Sequence, residues 1–579
     1  MKTVLLISLK RILFVVGCLT LITSLFSTPV VIAQDSSEPG IAATVDPNAE
    51  ITAGSTIFLP CITKEYCPGA APSPFSVQIA GLSDLNTTGL NSVEAEQLKA
   101  LRLAEFNDAF PTMVNAIKES GAGWARVYID WSYVQPTESG PYNWSNYDNW
   151  LGQVASAGVQ IIATVSNPPT WAAPSKDLST DCSNLITKLP EFNTFLTALV
   201  NRYKQSQYDI HTWEILNEPD AIDGYRCASG VSNYGHHGAD YATLVQGASS
   251  AIKLADPTAK VIMGGIAYDW FYLDVDVDPY QDGSREGKFN RYFTDDIMTA
   301  GAADSLDAVN FHFFRDFSAE WERWTVGGDG LPTCGNIRTL NGTTYMPYGL
   351  DLVAKGSHFL GRLSTCFNVN KPLWVTEVGM HGIDGTSSYV TVDSTDFNQD
   401  LKDRYDAGQT LENQGRYVFK VYARGLSLGA ENITWYAIKI IPSVTPGDFQ
   451  GLLYDSRDPL KDNQPKPAFY AFQILTRELN GYAFSQTLFG GASPDHVEAY
   501  EFTHACQGTK TIAWTNTTSP TLFVVNSVSS VRLVYRPSAD GTPDIRSIAD
   551  GGTGDGDLVA NGSITINLGI EPVIIQPIP

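Results

Sequence analysis

From Phe75 onward, short apolar runs alternate with longer stretches in which apolar residues return every three or four positions. The runs Ser76–Ile79, Trp124–Ile129, Gln160–Val165, Thr212–Leu216, Lys260–Gly264, Ala308–Phe313, Leu373–Thr376 and Ile433–Ala437 predict eight strands. The helical period predicts helices at Asp108–Glu119, Tyr147–Ala157, Glu191–Tyr203, Tyr241–Ala255, Gln414–Leu428 and Ala468–Leu479. Near-continuous apolar strands alternating with helices indicate an α/β fold with a parallel sheet covered on both faces. Eight such units predict closure into a (β/α)8 TIM barrel over residues 75–485. An open doubly wound sheet is the rival, but no G-x-G-x-x-G or G-x-x-x-x-G-K-[ST] follows any of these strands.

Connection lengths point the same way. Helix-to-strand links are short, as in Ala157-Gly158-Val159 and Gly429-Ala430, whereas the strand-to-helix links Ala221–Gly238, Ala267–Lys288, Phe314–Tyr348 and Val378–Asn413 are long. Long loops gathered at one mouth are where a barrel builds its site. After about Ser485 the texture changes. His496–Thr503, Thr511–Thr515, Leu522–Val525, Val531–Arg536, Ser563–Leu568 and Pro572–Ile575 read as strands between Gly- and Asp-rich turns, which predicts a small β-sandwich over 486–579.

Upstream, Lys2, Lys10 and Arg11 precede the apolar stretch Ile12–Phe26 and the small-residue step Val31-Ile32-Ala33, the pattern of a signal peptide over 1–33. Val15-Val16-Gly17-Cys18 also resembles a lipoprotein box. Residues 34–74, rich in Ala, Pro, Gly and Ser, are expected to be a spacer. The chain is therefore expected to be secreted or held at the cell surface, with no membrane association after signal cleavage.

With 38 Lys+Arg against 62 Asp+Glu and a formal charge of -24, nucleic acid and anionic lipid are disfavoured partners. Seven cysteines follow Cys18, and disulfides are their expected use in an oxidising compartment. Cys182 and Cys227, in the neighbouring loops after strands three and four, are expected to pair. Cys334 with Cys366 and Cys61 with Cys67 are further pairs, leaving Cys506 free. No C-x-x-C pair or Cys/His cluster has zinc spacing, so neither a metal nor another cofactor is expected.

Two carboxylates stand at strand ends. Glu218 lies in Trp213-Glu214-Ile215-Leu216-Asn217-Glu218-Pro219 after the fourth strand, and Glu377 in Pro372-Leu373-Trp374-Val375-Thr376-Glu377-Val378-Gly379 closes the seventh. A glutamate at the end of a buried strand gains nothing from apolar surroundings, so it needs a partner or a task. A structural ion pair with Arg126 is the bland reading for Glu377, and a turn with an exposed carboxylate is the bland reading for Glu218. Paired carboxyl groups about 5–5.5 Å apart are what retaining glycoside hydrolysis requires, one protonated and one ionised.

In these positions the chain resembles clan A of the retaining glycoside hydrolases, and with its attached β domain it resembles the family 39 and family 5 types among them. Gly123-Trp124-Ala125-Arg126-Val127, Trp131 with Val134-Gln135-Pro136, Tyr142-Asn143-Trp144, Asn167-Pro168-Pro169-Thr170-Trp171 and Trp435-Tyr436 carry the resemblance along the barrel. It implies Glu218 as acid/base, Glu377 as nucleophile, Asn217 on a sugar 2-hydroxyl, Arg126 supporting the nucleophile and Trp435 flooring the cleavage subsite. It also implies a carbohydrate substrate. One position departs: Asn310-Phe311-His312-Phe313-Phe314 stands where many members have His-x-Tyr, and Phe314 has no hydrogen bond to offer. Either another tyrosine supplies that bond or the nucleophile is tuned differently.

His312 is a candidate substrate ligand, with a packing histidine as the alternative. Trp131, Trp171, Trp270 and Trp435 are candidate subsite walls, with core filling as theirs. Asp274, Asp276 and Asp278 read as a solvated loop, and His236-His237 as substrate contact or plain surface. A non-catalytic carbohydrate-binding protein on the same barrel is the rival function, and it would be marked by loss of one carboxylate. Both are present.

Overall fold

The computed structural model describes residues 70–79, 92–173, 185–221, 234–267, 289–290, 292–314, 323–325, 346–348, 351–386, 396–442, 448–490, 496–537 and 541–578. Eight parallel strands form one sheet: β1 (Phe75–Gln78), β2 (Trp124–Asp130), β3 (Gln160–Ser166), β4 (Thr212–Ile215), β5 (Lys260–Met263), β6 (Val309–Phe314), β7 (Leu373–Gly379) and β8 (Ala430–Trp435). They are hydrogen-bonded in the order β5-β4-β3-β2-β1-β8-β7-β6. The two ends meet through parallel bridges between Ile262 and Ala308 and between Ile266 and Phe311, with His312 N donating to Ile266 O at 2.9 Å. The sheet is thus closed into the expected (β/α)8 barrel.

Around it lie α1 (Ser92–Ser120), α2 (Ser145–Ser156), α3 (Leu189–Tyr203), α4 (Gly238–Ala255), α5 (Phe293–Thr299), α6 (Asp351–Phe367), α7 (Asp396–Asp406), α8 (Leu411–Ser427) and α9 (Pro467–Leu479). In α3 the buried residues Phe192, Phe195, Leu196, Leu199, Val200 and Tyr203 follow the helical period, and a proline sits in the first turn, where its missing N–H costs nothing. Thr410 caps α8 by accepting from Asn413 N at 3.2 Å. Gly158 and Gly429, at φ 78° and 80°, turn the chain from helix to strand in one residue, which is why those links are short. Helices α5, α6 and α7 were not anticipated. The first has two turns, the second is interrupted by Gly356 and Gly361, and the third is mostly charged. No helix among the described residues is long and apolar enough to cross a membrane.

Strand alternation sorts the side chains. Val127, Ile161, Ala163, Val165, Trp213, Ile215, Val261, Val309, Phe311, Val375 and Ile433 are buried in the main core. The alternate residues Gln78, Arg126, Thr164, Glu214, Asn310, Thr376, Asn432 and Thr434 are also buried, and they are polar. Below them Ile162, Ile262, Ala308 and Trp374 form a separate apolar cluster. The barrel lumen therefore has an apolar floor and a polar upper storey.

The C-terminal strands form a six-stranded antiparallel sheet and a two-stranded one. The first has the order β9 (Ala483–Gly490), β10 (Val497–His504), β11 (Gly508–Thr515), β16 (Val573–Ile578), β13 (Ser530–Tyr535), β14 (Asp544–Ala549), and the second pairs β12 (Thr521–Asn526) with β15 (Ser563–Leu568). One face of the larger sheet packs Val531, Leu533, Val573 and Ile575 against Phe523, Ile564, Ile566 and Leu568 of the smaller, which makes a β-sandwich. Its other face carries Tyr500, Phe502, Ile512, Trp514, Val534 and Ile574, all part of the barrel's own core. Barrel and sandwich lie within one compact unit, Cys67–Pro579.

Charged pairs cross the same seam. Arg424 on α8 donates to both oxygens of Glu498 at 2.9 and 2.6 Å, with both side chains buried. Glu478 on α9 accepts from Lys510 at 2.9 Å and from Arg532 at 2.9 and 3.0 Å. Cys506, expected to be free, is instead disulfide-bonded, as is Cys366. It lies in the turn between β10 and β11, next to His504, which faces Gly481 together with Ala70. Cys61, Cys67, Cys182, Cys227, Cys334, Trp270, Asp274, Asp276 and Asp278 lie outside the described residues.

Burial by itself would raise the Glu478 carboxyl, but Arg532 and Lys510 hold it at about 2, against an ordinary 4.5. A carboxylate depressed in the folded state stabilises fully above its unfolded value and loses that contribution as pH falls towards the folded one. Glu478→Gln is therefore expected to cost about 2 kcal/mol at pH 7. Thermal unfolding of both proteins between pH 7 and 2 checks this. The gap between the two curves should begin to narrow below about pH 4.5 and close as pH approaches 2, and a gap that stays constant down to pH 2 would contradict it.

Candidate active site

The site is organised around a buried guanidinium. Arg126, on the inward face of β2, donates from Nε to Glu214 Oε2 at 2.6 Å, from Nη1 to Gln78 Oε1 and Glu377 Oε1 at 2.6 Å each, and from Nη2 to Asn217 Oδ1 at 2.8 Å. Burial would by itself lower its pKa. The charges of Glu214, Tyr128 and Glu377 outweigh that, and the group is held well above its ordinary value. Glu214 shows the converse: burial would raise it, but Arg126 keeps it below the usual carboxylate range. Its oxygens also accept from Thr164, Thr376, Asn310 and the Gly265 amide, at 2.5, 2.8, 2.8 and 3.3 Å. Glu214 is thus a fully satisfied anion.

Glu377 reaches the lumen through an irregularity in β7. The pairing between β6 and β7 shifts between Asn310, opposite Trp374, and His312, opposite Glu377. A bulge of this kind lets two consecutive residues face the same side. Thr376 bonds Glu214 while Glu377 meets Arg126 and accepts from Tyr128 Oη at 2.9 Å. The ion pair with Arg126 therefore exists, but it occupies one oxygen of Glu377. The other, Oε2, lies 3.4 Å from His312 Nδ1.

Glu218 arrives from β4 along a strained path. Leu216 and Glu218 have φ of 63° and 45°, left-handed values that cost non-glycine residues roughly 1–2 kcal/mol. The path is held by Leu216 N on Val165 O at 2.9 Å and by Asn217 on Arg126. Glu218 Oε1 lies 3.0 Å from His312 Nδ1, whose Nε2 is 3.1 Å from Thr376 Oγ1. A Cβ on Gly265 would stand 2.0 Å from that ring, so the imidazole fits only because this position is glycine. Atoms of Glu218, His312 and Glu377 all lie within 4.8 Å of one another. The same trio could converge on a cation, but the Arg126 guanidinium against Glu377 would oppose one. Two carboxylates on one guanidinium, with Glu218 as a third across His312, make the cleft suited to positive charge developing on a substrate.

The other expected residues separate by strand face. Trp171 stands half-buried beyond β3, edge-on to Trp131 at 5.1 Å, with Nε1 donating to Gln135 O at 3.2 Å. Trp435 does not floor the cleft. It falls on the outward face of β8, is fully buried, donates to Gln450 O at 3.0 Å and meets Tyr417. Trp131 is likewise core, stacked on Phe195. Tyr436, next to Trp435, has the inward parity and meets Phe314 edge-on at 5.8 Å. His237 precedes α4, with Nδ1 3.1 Å from Asp240, and His236 is exposed. Gln78, Tyr128, Glu214, Asn310 and Thr376 were not anticipated. For Tyr128 and Asn310 the signal was parity, since each lies two residues from Arg126 or His312 on the same strand, whereas Gln78, Glu214 and Thr376 were marked only as polar residues within apolar runs.

A family model described as "Cellulase (glycosyl hydrolase family 5)" matches residues 86–400. No curated protein matches the chain. Among solved structures, a family 39 glycoside hydrolase from Bacteroides cellulosilyticus WH2 is similar with a TM-score of 0.54 and 16% identity, over 88% of this chain and 81% of that one. A GH30 endoxylanase from Clostridium papyrosolvens C71 gives 0.50 and 15%, over 81% and 93%. The catalytic domain of a GH30 xylanase C from Talaromyces cellulolyticus gives 0.50 and 14%, over 88% and 98%. Identities this low speak for the fold, whereas the family model spans more than half of the sequence. The chain belongs to glycosyl hydrolase family 5, the cellulase family, and is a glycosyl hydrolase of clan A.

Proposed function

We propose that the protein is an exported retaining glycosidase that cleaves a β-linked polysaccharide, a glucan or a xylan, by double displacement. The observation that carries the mechanism is the approach of the Glu218 and Glu377 oxygens to within 4.8 Å. That suits a nucleophile acting directly on the sugar rather than a water held between two carboxylates, which needs about 6.5–9.5 Å. The substrate class rests on the cellulase family match and on the xylanases among the structural neighbours. Export is supported by the disulfide-bonded Cys366 and Cys506, since such bonds persist in oxidising compartments.

In the first step Glu377 Oε2 attacks the anomeric carbon. The bond from that carbon to the glycosidic oxygen breaks, and Glu218 gives its proton to the departing oxygen. In the second, a water oxygen attacks the same carbon, its proton passes to Glu218, and the electron pair of the ester C–O bond returns to Glu377. His312, between the two carboxylates, holds them in register. Arg126 and Tyr128 fix the nucleophile by its other oxygen. Asn217 presents its amide beside Glu218 for a sugar hydroxyl, and Trp171 offers an indole wall for a ring further along the cleft.

Separation of the two roles tests the reading. Glu377→Gly should abolish turnover, and azide should restore it with an α-configured product, inverted relative to a β-glycoside. Glu218→Ala should slow turnover of natural substrates by about 10²–10⁴-fold and spare the first step on aryl glycosides with good leaving groups. Azide should then yield the retained, β-configured product. The anomeric configuration by NMR decides. The same configuration from both variants would refute the assignment.

Arg126 provides an independent check. Arg126→Met leaves Glu214 a buried anion without its cation and should cost about 3–5 kcal/mol of stability. Arg126→Met combined with Glu214→Gln should recover much of the thermal midpoint but none of the activity. If activity returned with stability, Arg126 would be a structural strut alone.

A further inference from the structure

We propose that Tyr128 is a catalytic residue of the second displacement, donating to the nucleophile from β2 and speeding release of the sugar from Glu377. The proposal rests on the retaining reading above.

The two oxygens of Glu377 have different surroundings. Oε2 is 3.4 Å from the His312 nitrogen that also lies 3.0 Å from Glu218, so it faces the acid/base and is the atom that takes the sugar. Oε1 points the other way, towards Arg126 at 2.6 Å and Tyr128 at 2.9 Å. In the covalent intermediate Oε1 is the ester carbonyl oxygen. When water displaces the sugar, an electron pair returns to the carboxylate and the new charge spreads onto Oε1. A donor on Oε1 therefore gains strength as the ester breaks. It contributes little to the first step, where the charge on the carboxylate is being consumed.

Arg126 cannot serve this step alone, because Glu214, Gln78 and Asn217 share its guanidinium. Tyr128 sits two residues further along the same inward face, with its ring half-buried rather than sealed. Its hydroxyl accepts from Arg126 Nη1 at 3.2 Å, which leaves its proton for Glu377. Burial and the nearby Glu377 charge raise the phenol well above its ordinary range, although Arg126 pulls the other way, so the proton stays in place. On β6 the inward residue after His312 is Phe314, which meets Tyr436 edge-on and has nothing to donate. The hydroxyl that a tyrosine there would offer is supplied from the other side of the nucleophile.

Tyr128→Phe removes one oxygen atom and leaves the Arg126–Glu377 pair in place. On an aryl β-glycoside with a good leaving group, kcat is expected to fall by about 10- to 100-fold, with KM falling nearly as much and kcat/KM changing by less than about 3-fold. The glycosyl-enzyme should accumulate and be visible by intact mass after rapid quenching. An unchanged kcat would overturn the proposal. So would an equal loss in kcat and kcat/KM without a covalent species, which is what a merely structural hydroxyl would give. If the phenylalanine variant fails to fold, Tyr128→3,5-difluorotyrosine retains the hydroxyl as a stronger donor and should raise kcat where release of the sugar limits it, with kcat/KM changing by less than about 3-fold. An unchanged kcat overturns the proposal equally. Labelling of wild-type Glu377 by a 2-deoxy-2-fluoro glycoside separates the two levels. No label sinks the retaining reading itself, whereas a labelled wild type beside an unimpaired variant sinks only the role of Tyr128.

Discussion

The structure depends on keeping one positive charge inside a barrel. Stripping a guanidinium of water costs several kcal/mol even after the surroundings relax, and only close anions and well-aimed acceptors offset that. Arg126 has both, drawn from three strands: Gln78 from β1, Glu377 from β7, and Glu214 and Asn217 from β4 and the turn after it. Glu214 in turn draws Thr164, Asn310, Thr376 and Gly265 towards the axis. The upper storey of the lumen is thus one polar network, and any error in strand register would leave a charge unpaired. That penalty specifies the closed barrel more sharply than apolar burial does, because apolar side chains tolerate exchange and slippage while a buried ion does not.

The two glutamates were legible in the sequence because each stands at the end of an apolar run, where a carboxylate needs a reason. Arg126 was legible for the same cause. Trp435 was misplaced by one residue: a two-residue period assigns alternate side chains to opposite faces, and the run Ile433–Ala437 does not say which is inward. Tyr128 was missed although it lies in a run already identified as a strand. Its partner is 249 residues away, and only closure of the barrel brings β2 against β7. Nor could sequence show the bulge that turns Thr376 and Glu377 to the same side, since it appears only as a shift in pairing with β6.

The C-terminal strands raise a related point. A change of texture after Ser485 reads as a separate module, because local pattern reports strands and turns but not what the sheet lies on. The structure makes the six-stranded sheet an outer layer of the barrel, with Tyr500, Phe502 and Trp514 in the same core as Tyr417 and Phe472. The signal was available in Glu498, Lys510 and Arg532, charged residues within strands. Such residues are expensive on a packed face unless something opposite carries the other sign. Arg424 and Glu478 do so. Helices α8 and α9 are thereby clamped from outside, and α8 leads directly into β8.

The buried guanidinium also bears on the strain at the mouth. Left-handed backbone at Leu216 and Glu218, and at Asn167 with φ 49°, persists only where the surroundings over-determine it. Asn167 is fixed through Asp130 at 2.7 Å, and Glu218 through its neighbour Asn217, which Arg126 holds. The guanidinium therefore acts on both carboxylates. It binds one oxygen of Glu377 directly, and it sets the turn from which Glu218 projects. A displacement of either strand would move the two glutamates together rather than apart. Their separation, the quantity on which the chemistry turns, is consequently buffered by a single buried side chain.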